Sequence, residues 1–192
     1  LVVGRFDNDP RVDIALTANF SGYVTVLLNF DPISKTFAST AYVKVGDEPL
    51  DIAAGNFTGN DNDNLDLIVV NKANNTVQLL NNNGSGVFNA GPGVPTGGRD
   101  ASSIVVGNFT RGTSLDVAVV HARPQIGANH AFGELTVLRG DGSGGLTVQS
   151  VEPYKVGGTP TDSVVARFND DEFLDIAVAN FGTNSISILL GQ

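Results

Sequence analysis

Short apolar runs alternate with polar turns along this chain, in a rhythm that repeats four times. A first run leads into a polar, acid-rich loop, a second run starts on the last Asp of that loop, and a third follows a short turn. A turn rich in Gly, Asn and Asp then introduces a fourth, more polar run. Runs of about five or six residues joined by tight turns predict antiparallel strands. The predicted second strands are Asp13–Ala18, Asp66–Val70, Asp116–Val120 and Asp175–Ala179.

The residue types in these runs predict where each strand lies in its sheet. The second runs consist almost entirely of Ile, Leu, Val and Ala, which is typical of strands covered on both faces. A fourth run such as Thr36–Val45 alternates and carries charge, as expected of a partly exposed edge. No segment has a helical period, so the sequence predicts an all-β protein.

The acid-rich loop marks a repeat of about fifty residues, the range in which self-similarity indicates a propeller or another array. Sheets that repeat in tandem and are buried on both faces suit packing around an axis, so we predict a β-propeller of four-stranded antiparallel blades. The blades are predicted at about residues 1–49, 50–100, 101–160 and 161–192, and their loops are Arg5–Asp13, Asn56–Asp66, Asn108–Asp116 and Arg167–Asp175.

The predicted fourth blade is incomplete, because no fourth run follows Ser185–Leu190. We therefore expect these blades to be part of a larger propeller of seven or eight blades. The open blade faces should then pair with another copy of the chain. The alternative is a four-bladed ring whose last blade is incomplete.

Composition and charge narrow the possible functions. The chain has 192 residues, of which 41% are hydrophobic and only 16% charged, as expected of a globular protein with a real core. Its net charge of −9 argues against nucleic acid or an anionic membrane as a partner. No apolar run approaches the roughly 18 residues of a membrane span, so membrane insertion is not predicted. The absence of Cys leaves the redox compartment undetermined.

Several segments resemble FG-GAP (VCBS-type) repeats, the units of integrin-α-like propellers. The resemblance is carried by Asp175-Ile-Ala-Val-Ala-Asn-Phe, by Thr76–Phe88 and by Val45–Phe57, and in registered copies it covers essentially the whole chain. It implies a β-propeller in a secreted or cell-surface protein, with calcium held in the loops. Members of this family range from adhesion receptors to lectins and enzyme appendages, so the resemblance indicates the fold more strongly than the function.

The acid-rich loops are the candidate calcium sites. Of the 20 acidic residues, eleven lie in or beside these loops, and Ca²⁺ takes 6–8 oxygen ligands. The third loop offers only Asp116 and the neutral Asn108, Thr110 and Ser114. Carried over position by position, the resemblance implies as metal ligands Asp7, Asp9, Asp13, Asn56, Asp61, Asp63, Asp66, Asn169, Asp171 and Asp175.

Two arginines depart from the family pattern, since Arg5 and Arg167 stand where the first loop acid is expected. One hypothesis is that each guanidinium replaces the cation and pairs bidentately with Asp13 or Asp175. The alternative is that each arginine points to solvent while the acids hold calcium.

An insertion in the third unit, residues 121–133, is the candidate ligand-binding loop. It contains His121, Arg123 and His130, and it joins two predicted buried strands, where added length often serves recognition. The strand order places it with the connections between blades, on the face opposite the acidic loops. An ornamental surface loop is the alternative.

No residue pattern predicts catalysis. The carboxylates lie in repeating loops rather than in one unique pair, and neither His has a predictable triad partner. Arg139-Gly140-Asp141 occupies the same predicted turn as Asn81–Asn83, so turn formation explains it better than adhesion. The sequence favours a non-catalytic extracellular binding or adhesion module for carbohydrate or protein. The alternatives are a propeller that accompanies a secreted enzyme, such as a polysaccharide lyase, and a structural self-assembling repeat.

Overall fold

A computed structural model describes residues 1–59, 65–123, 132–149 and 153–191, and it confirms the all-β class. The described residues form four antiparallel sheets, each made of strands that follow one another in the chain. The helical element among them is a 3₁₀ turn at Phe181–Thr183. Within the described ranges, no helix has the length and apolar character needed to cross a lipid bilayer.

The sheets are numbered in chain order, and their strands are β1 to β16. Sheet 1 contains β1 (Val2–Gly4), β2 (Asp13–Ala18), β3 (Tyr23–Asp31) and β4 (Thr36–Lys44); sheet 2 contains β5 (Pro49–Gly55), β6 (Asp66–Asn71), β7 (Thr76–Asn82) and β8 (Phe88–Pro95). Sheet 3 contains β9 (Arg99–Gly107), β10 (Asp116–Arg123), β11 (Gly133–Gly140), β12 (Leu146–Val148) and β13 (Tyr154–Val156); sheet 4 contains β14 (Pro160–Ala166), β15 (Asp175–Asn180) and β16 (Ser185–Leu189).

The second strand of every sheet begins on the loop aspartate, as predicted. That aspartate pairs across the ladder with Gly4, Gly55, Gly107 or Ala166, so the four sheets share one register. The fourth strand of sheet 3 differs from the prediction, because it is divided into β12 and β13, which pair with opposite ends of β11. Pro153 lies between these two strands and has no N–H to donate to a ladder.

Three apolar cores lie between consecutive sheets. In sheet 2, Leu67 and Val69 pack in the core shared with sheet 1, whereas Ile68 and Val70 pack in the core shared with sheet 3. All four side chains are buried, which explains why the second runs are continuously apolar. We call the face of a sheet that is equivalent to Ile68 and Val70 its leading face, and the face equivalent to Leu67 and Val69 its trailing face.

The sheets follow one another in space in their chain order. The second strand of sheet 1 contacts β5, β5 contacts β9, and β9 contacts β14. The first strands of sheets 2, 3 and 4 are therefore consecutive neighbours. The loops between first and second strands lie at one end of the sheets, and the connections between sheets lie at the other.

Candidate functional site

A buried aspartate closes each of the four loops at the start of the second strand, where it is at most 2% exposed. In sheet 1, one carboxylate oxygen of Asp13 accepts the N–H of Phe6 at 2.7 Å, and the other accepts the N–H of Asn29 at 2.7 Å. Asp175 makes the same two bonds in sheet 4, at 2.7 and 2.9 Å. The side chain thus joins the loop to the far end of the third strand. We call it the carboxylate clamp, formed by Asp13, Asp66, Asp116 and Asp175.

Threonines strengthen the clamp in the two middle sheets. The Oδ2 atom of Asp116 accepts the N–H groups of Phe109 and Thr110 and the Thr110 hydroxyl, at 2.9–3.2 Å. Its Oδ1 atom accepts the N–H of Gly140 at 3.1 Å. Asp66 makes the equivalent four bonds. The third loop, which has lost its other acids, is therefore closed by the same device as the acidic loops.

Backbone donors are sufficient to keep a clamp ionised. The N–H of Gly191, followed by that of Phe168, holds the pKa of Asp175 below its ordinary value, although burial acts in the opposite direction. A carboxylate that accepts such bonds carries its negative charge without a neighbouring cation. The final aspartate of the loop thus has a structural role that does not need a metal.

Replacing Asp116 with Asn tests the clamp. An amide presents an N–H₂ group to one of the buried backbone donors, so Asp116→Asn should lower the free energy of unfolding by about 3 kcal/mol. The control is Asp141→Asn, because Asn83 in sheet 2 accepts two of the three turn bonds that Asp141 accepts in sheet 3. Urea unfolding of both variants gives the comparison. Equal effects of the two substitutions would contradict the clamp.

The other acids of the first loop are also engaged. Asp9 pairs bidentately with Arg11, at 2.8 and 2.9 Å, and this contact lowers the pKa of Asp9 to about 2. Asp7 accepts the N–H of Asp9 at 2.8 Å and the side-chain amide of Asn29 at 3.0 Å. Both oxygens of Asp7 and of Asp9 therefore accept hydrogen bonds. The basic residue that pairs with an acid in this loop is therefore Arg11, which binds Asp9, and not Arg5.

The predicted pairing of Arg5 with Asp13 and of Arg167 with Asp175 is not formed. In the part of the chain that the structure describes, no carboxylate lies within 4.0 Å of either guanidinium. The clamp explains why, because backbone N–H groups already occupy both oxygens of each aspartate.

The remaining candidate ligands lie in the fourth and second loops. The side-chain amide of Asn169 donates to Asp171 at 2.6 Å, and Asp171 also accepts a backbone N–H at 2.9 Å. The side-chain oxygen of Asn56 accepts a backbone N–H of its own loop at 3.0 Å. Asp61 and Asp63 lie outside the described residues.

The carboxylate oxygens of the first and fourth loops are not arranged to bind calcium. Calcium needs several oxygens directed at one point, whereas these carboxylates are directed at N–H groups and a guanidinium. Among the described side chains, no group of three or more His, Cys, Asp and Glu residues is placed to hold a metal. We therefore derive no role for calcium in these two loops.

At the opposite end of the sheets, a glycine of each connection packs against the sixth side chain of the next second strand. Gly46 contacts Asn71, Gly98 contacts the ring of His121, and Gly157 contacts Asn180. A Cβ at Gly46 would lie 2.7 Å from the Asn71 amide, and one at Gly157 would lie 2.6 Å from that of Asn180. Only glycine allows this approach. We call these three contacts the glycine stacks.

His121, a predicted ligand-binding residue, lies inside its glycine stack and is fully buried. Burial lowers the pKa of His121 to about 4, so the ring is neutral at pH 7. Its two nitrogens have no hydrogen-bond partner among the described residues. His121 is therefore not presented to a ligand in solvent. The side chain of Arg123 and the whole of His130 lie outside what the structure describes.

His121 should make stability depend on pH. The unfolded chain takes up a proton near pH 6.5, whereas folded His121 does so only near pH 4, so the free energy of unfolding falls as the pH decreases between these values. The expected loss between pH 7 and pH 5 is about 2 kcal/mol. His121→Asn, which introduces the residue found in sheets 2 and 4, should remove this loss. Urea unfolding at both pH values measures it, and an unchanged pH dependence in the variant would refute the assignment.

A polar cleft, which we call the amide cleft, opens beside the first glycine stack, between sheets 1 and 2. It has a volume of about 450 Å³ and is lined by Lys44, Asp47, Asn71, Asn74 and Gln78, among others. Asn71 lines this cleft, and its Oδ1 atom is buried without a hydrogen-bond partner among the residues that the structure describes. Sequence reasoning missed this cleft, although amide side chains inside apolar runs were a visible signal.

Hydrogen bonds fix the walls of the amide cleft. The side-chain oxygen of Gln78 accepts the N–H of Gly46 at 3.1 Å and the amide of Asn71 at 3.2 Å, and its nitrogen donates to a carbonyl of β8 at 2.7 Å. Asn74 accepts the N–H of Asp47 at 2.8 Å. The cleft is thus held in shape without a ligand.

No protein-family model matches the chain, and no curated protein matches its sequence. Function therefore has to be inferred from the two ends of the sheets. At the loop end the carboxylates discussed above accept hydrogen bonds, whereas the Oδ1 atoms of Asn29 and Asn108 are buried without a partner among the described residues. The connection end presents amide donors and acceptors in a cleft.

Proposed function

We propose that this chain is a non-catalytic binding module of the FG-GAP type, secreted or displayed at a cell surface, that recognises carbohydrate at the connection end of its sheets. The proposal combines three elements: the propeller architecture, the type of ligand and the place where it binds. Each is supported by a different part of the molecule.

Sheet packing supports the propeller. The four sheets stack in chain order, and the first strands of sheets 2, 3 and 4 are consecutive neighbours. A radial array brings the innermost strands of successive blades together in this way. The shared register and the repeated carboxylate clamp make the sheets equivalent units, as an array requires.

The amide cleft supports a hydroxyl-rich ligand. Asn71, Asn74 and Gln78 supply amides, and Lys44 and Asp47 add one charge of each sign at the rim. Side-chain amides both donate and accept, as sugar hydroxyl groups do, so one cleft can satisfy several hydroxyls. Its volume of about 450 Å³ is in the range of small-ligand sites.

The single observation that carries the proposal is the presence of three side-chain amides, those of Asn71, Asn74 and Gln78, in the lining of one cleft. A hydrogen bond from such an amide to a ligand hydroxyl contributes about 0.5–1.5 kcal/mol, so several of them together would hold a small sugar. A neutral ligand also suits a chain whose net charge is −9.

A glycan array followed by calorimetry with the strongest ligand tests the proposal. Asn74→Ala removes a wall of the amide cleft and should weaken binding by at least about tenfold, since one buried hydrogen bond is worth about 1.5 kcal/mol. Asn83→Ala, at an exposed turn on the other end of sheet 2, should leave affinity unchanged. A chain that binds no glycan, or that loses affinity equally in both variants, would refute the assignment.

The proposal also includes calcium binding by the second loop. This loop has Asn56 and not an arginine at its first position, and although it is two residues longer than the FG-GAP pattern, Asp61, Asp63 and Asp66 remain near the positions of the other ligands. Calcium should raise the Tm of the chain, Asp61→Asn should abolish that rise, and Asp9→Asn should preserve it. Differential scanning calorimetry in calcium and in EDTA makes the comparison. An unchanged Tm in excess EDTA would remove calcium from the proposal.

A further inference from the structure

Two apolar sheet faces are left uncovered at the ends of the stack. On the leading face of sheet 4, five apolar side chains are between 47% and 70% exposed: Val164, Phe168, Ile186, Ile188 and Leu190. On the trailing face of sheet 1, Val3, Val12 and Tyr42 are at least half exposed. Soluble proteins rarely leave such groups in contiguous patches unless something binds them.

The internal repeat shows what covers the equivalent faces elsewhere. The loop phenylalanine lies on the leading face of every sheet, and it is 0% exposed at Phe6, 3% at Phe57 and 6% at Phe109, but 47% at Phe168. In each buried case the covering element is the trailing face of the next sheet. The leading face of sheet 4 is therefore built to receive a trailing face.

Sheet 1 carries the one trailing face that has no partner in the stack. Its Val3 is equivalent to Ala54, Val106 and Val165, which all pack in the cores between sheets. Val12 is likewise equivalent to Leu65, Leu115 and Leu174, which pack in the same cores. Each uncovered face thus has the composition of one side of a contact between consecutive sheets, which we call a joint.

A matched change in size links these two faces to each other. At the three internal joints, a leucine of the trailing face packs against a glycine of the leading face. A Cβ added to the glycine would lie close to the leucine in each case: 3.2 Å for Gly4 and Leu65, 2.6 Å for Gly55 and Leu115, and 2.8 Å for Gly107 and Leu174.

On the uncovered faces both members of this pair differ. The leading face of sheet 4 has Ala166, which is larger than glycine by one methyl group, and the trailing face of sheet 1 has Val12, which is smaller than leucine by one methylene. The added methyl group of Ala166 would therefore take up the volume that the smaller side chain of Val12 leaves free. Close packing requires such compensation only if the two faces meet, since a single extra methylene disturbs a packed core.

We propose that the leading face of sheet 4 binds the trailing face of sheet 1 in a second copy of this chain, and that two such joints close a ring of eight sheets. The faces do not meet within one chain, because both are exposed. A head-to-tail contact between identical chains must close to give a finite particle, and two copies of four sheets reach the upper end of the usual four to eight propeller blades.

The proposed joint would also contain a backbone hydrogen bond between the two sheets. At internal joints, the N–H of Leu65 donates to the carbonyl of Arg5 at 3.2 Å, and that of Leu174 donates to Asn108 at 3.3 Å. The equivalent bond at the new joint runs from the N–H of Val12 to the carbonyl of Arg167 in the other copy. This assembly goes beyond carbohydrate binding and does not depend on it.

The mass of the chain in solution tests the ring. Light scattering at about 150 mM salt, which screens the repulsion between two chains of charge −9, should give twice the 19.9 kDa mass of one chain. Ile188→Lys and Val3→Lys place a charge on one face each and should both give monomers. Val87→Lys, at a site 55% exposed on neither face, should remain a dimer.

Three results would overturn the ring: a monomeric wild type, an open series of larger species, or a dimer that survives either face variant. Circular dichroism and cooperative melting of each lysine variant show that the sheets remain folded. The three altered side chains are exposed in the single chain, so folding does not require them to be apolar.

The matched pair gives a second, independent test. Val12→Leu places a leucine against Ala166 and should raise the dimer dissociation constant about tenfold, because it overpacks the joint. Adding Ala166→Gly recreates the internal pair and should restore the dissociation constant to about the wild-type value. A double variant as weak as Val12→Leu alone would show that the two residues do not meet.

Discussion

The buried carboxylate at the start of each second strand is the interaction on which the rest of the structure depends. A loop and the end of a strand meet there, and both expose backbone N–H groups that the sheet ladders do not satisfy. Asp13, Asp66, Asp116 and Asp175 accept from both segments at once. Because one of these donors belongs to the loop phenylalanine, the same bond directs that ring onto the leading face. The polar clamp and the apolar core are thus two consequences of one side chain.

This arrangement separates two roles that an acidic loop motif combines. The final aspartate serves the fold in all four sheets, including the third, whose loop has no other acid. The preceding acids are free to differ, and in sheet 1 they form a local network with Arg11. Burying a carboxylate is expensive, but two to four hydrogen bonds from fixed donors offset that cost. A repeated acidic motif is therefore evidence for a loop conformation and is not by itself evidence for a bound metal.

Strand positions could be predicted from the sequence because they depend on local periodicity repeated four times, and every second strand begins at the residue the pattern indicated. Which side chains contact one another could not be predicted in this way. The choice of Arg11 over Arg5 depends on the turn, in which the Arg11 N–H binds Asp9 and brings the guanidinium back onto the same carboxylate. The burial of His121 depends on Gly98, a contact between segments that are adjacent only in the folded chain. The amide cleft depends in the same way on two neighbouring sheets.

The glycine stacks define where one unit of this protein ends and the next begins. Each stack joins the connection after one sheet to the second strand of the following sheet, so a cut between sheets leaves an amide or an imidazole without its cover. A segment that runs from one stacking glycine to the next carries a complete set of contacts at both ends. Duplication or exchange of that segment preserves every stack. The segment that carries its own contacts is therefore offset from the sheet, and it begins in the connection rather than in the first strand.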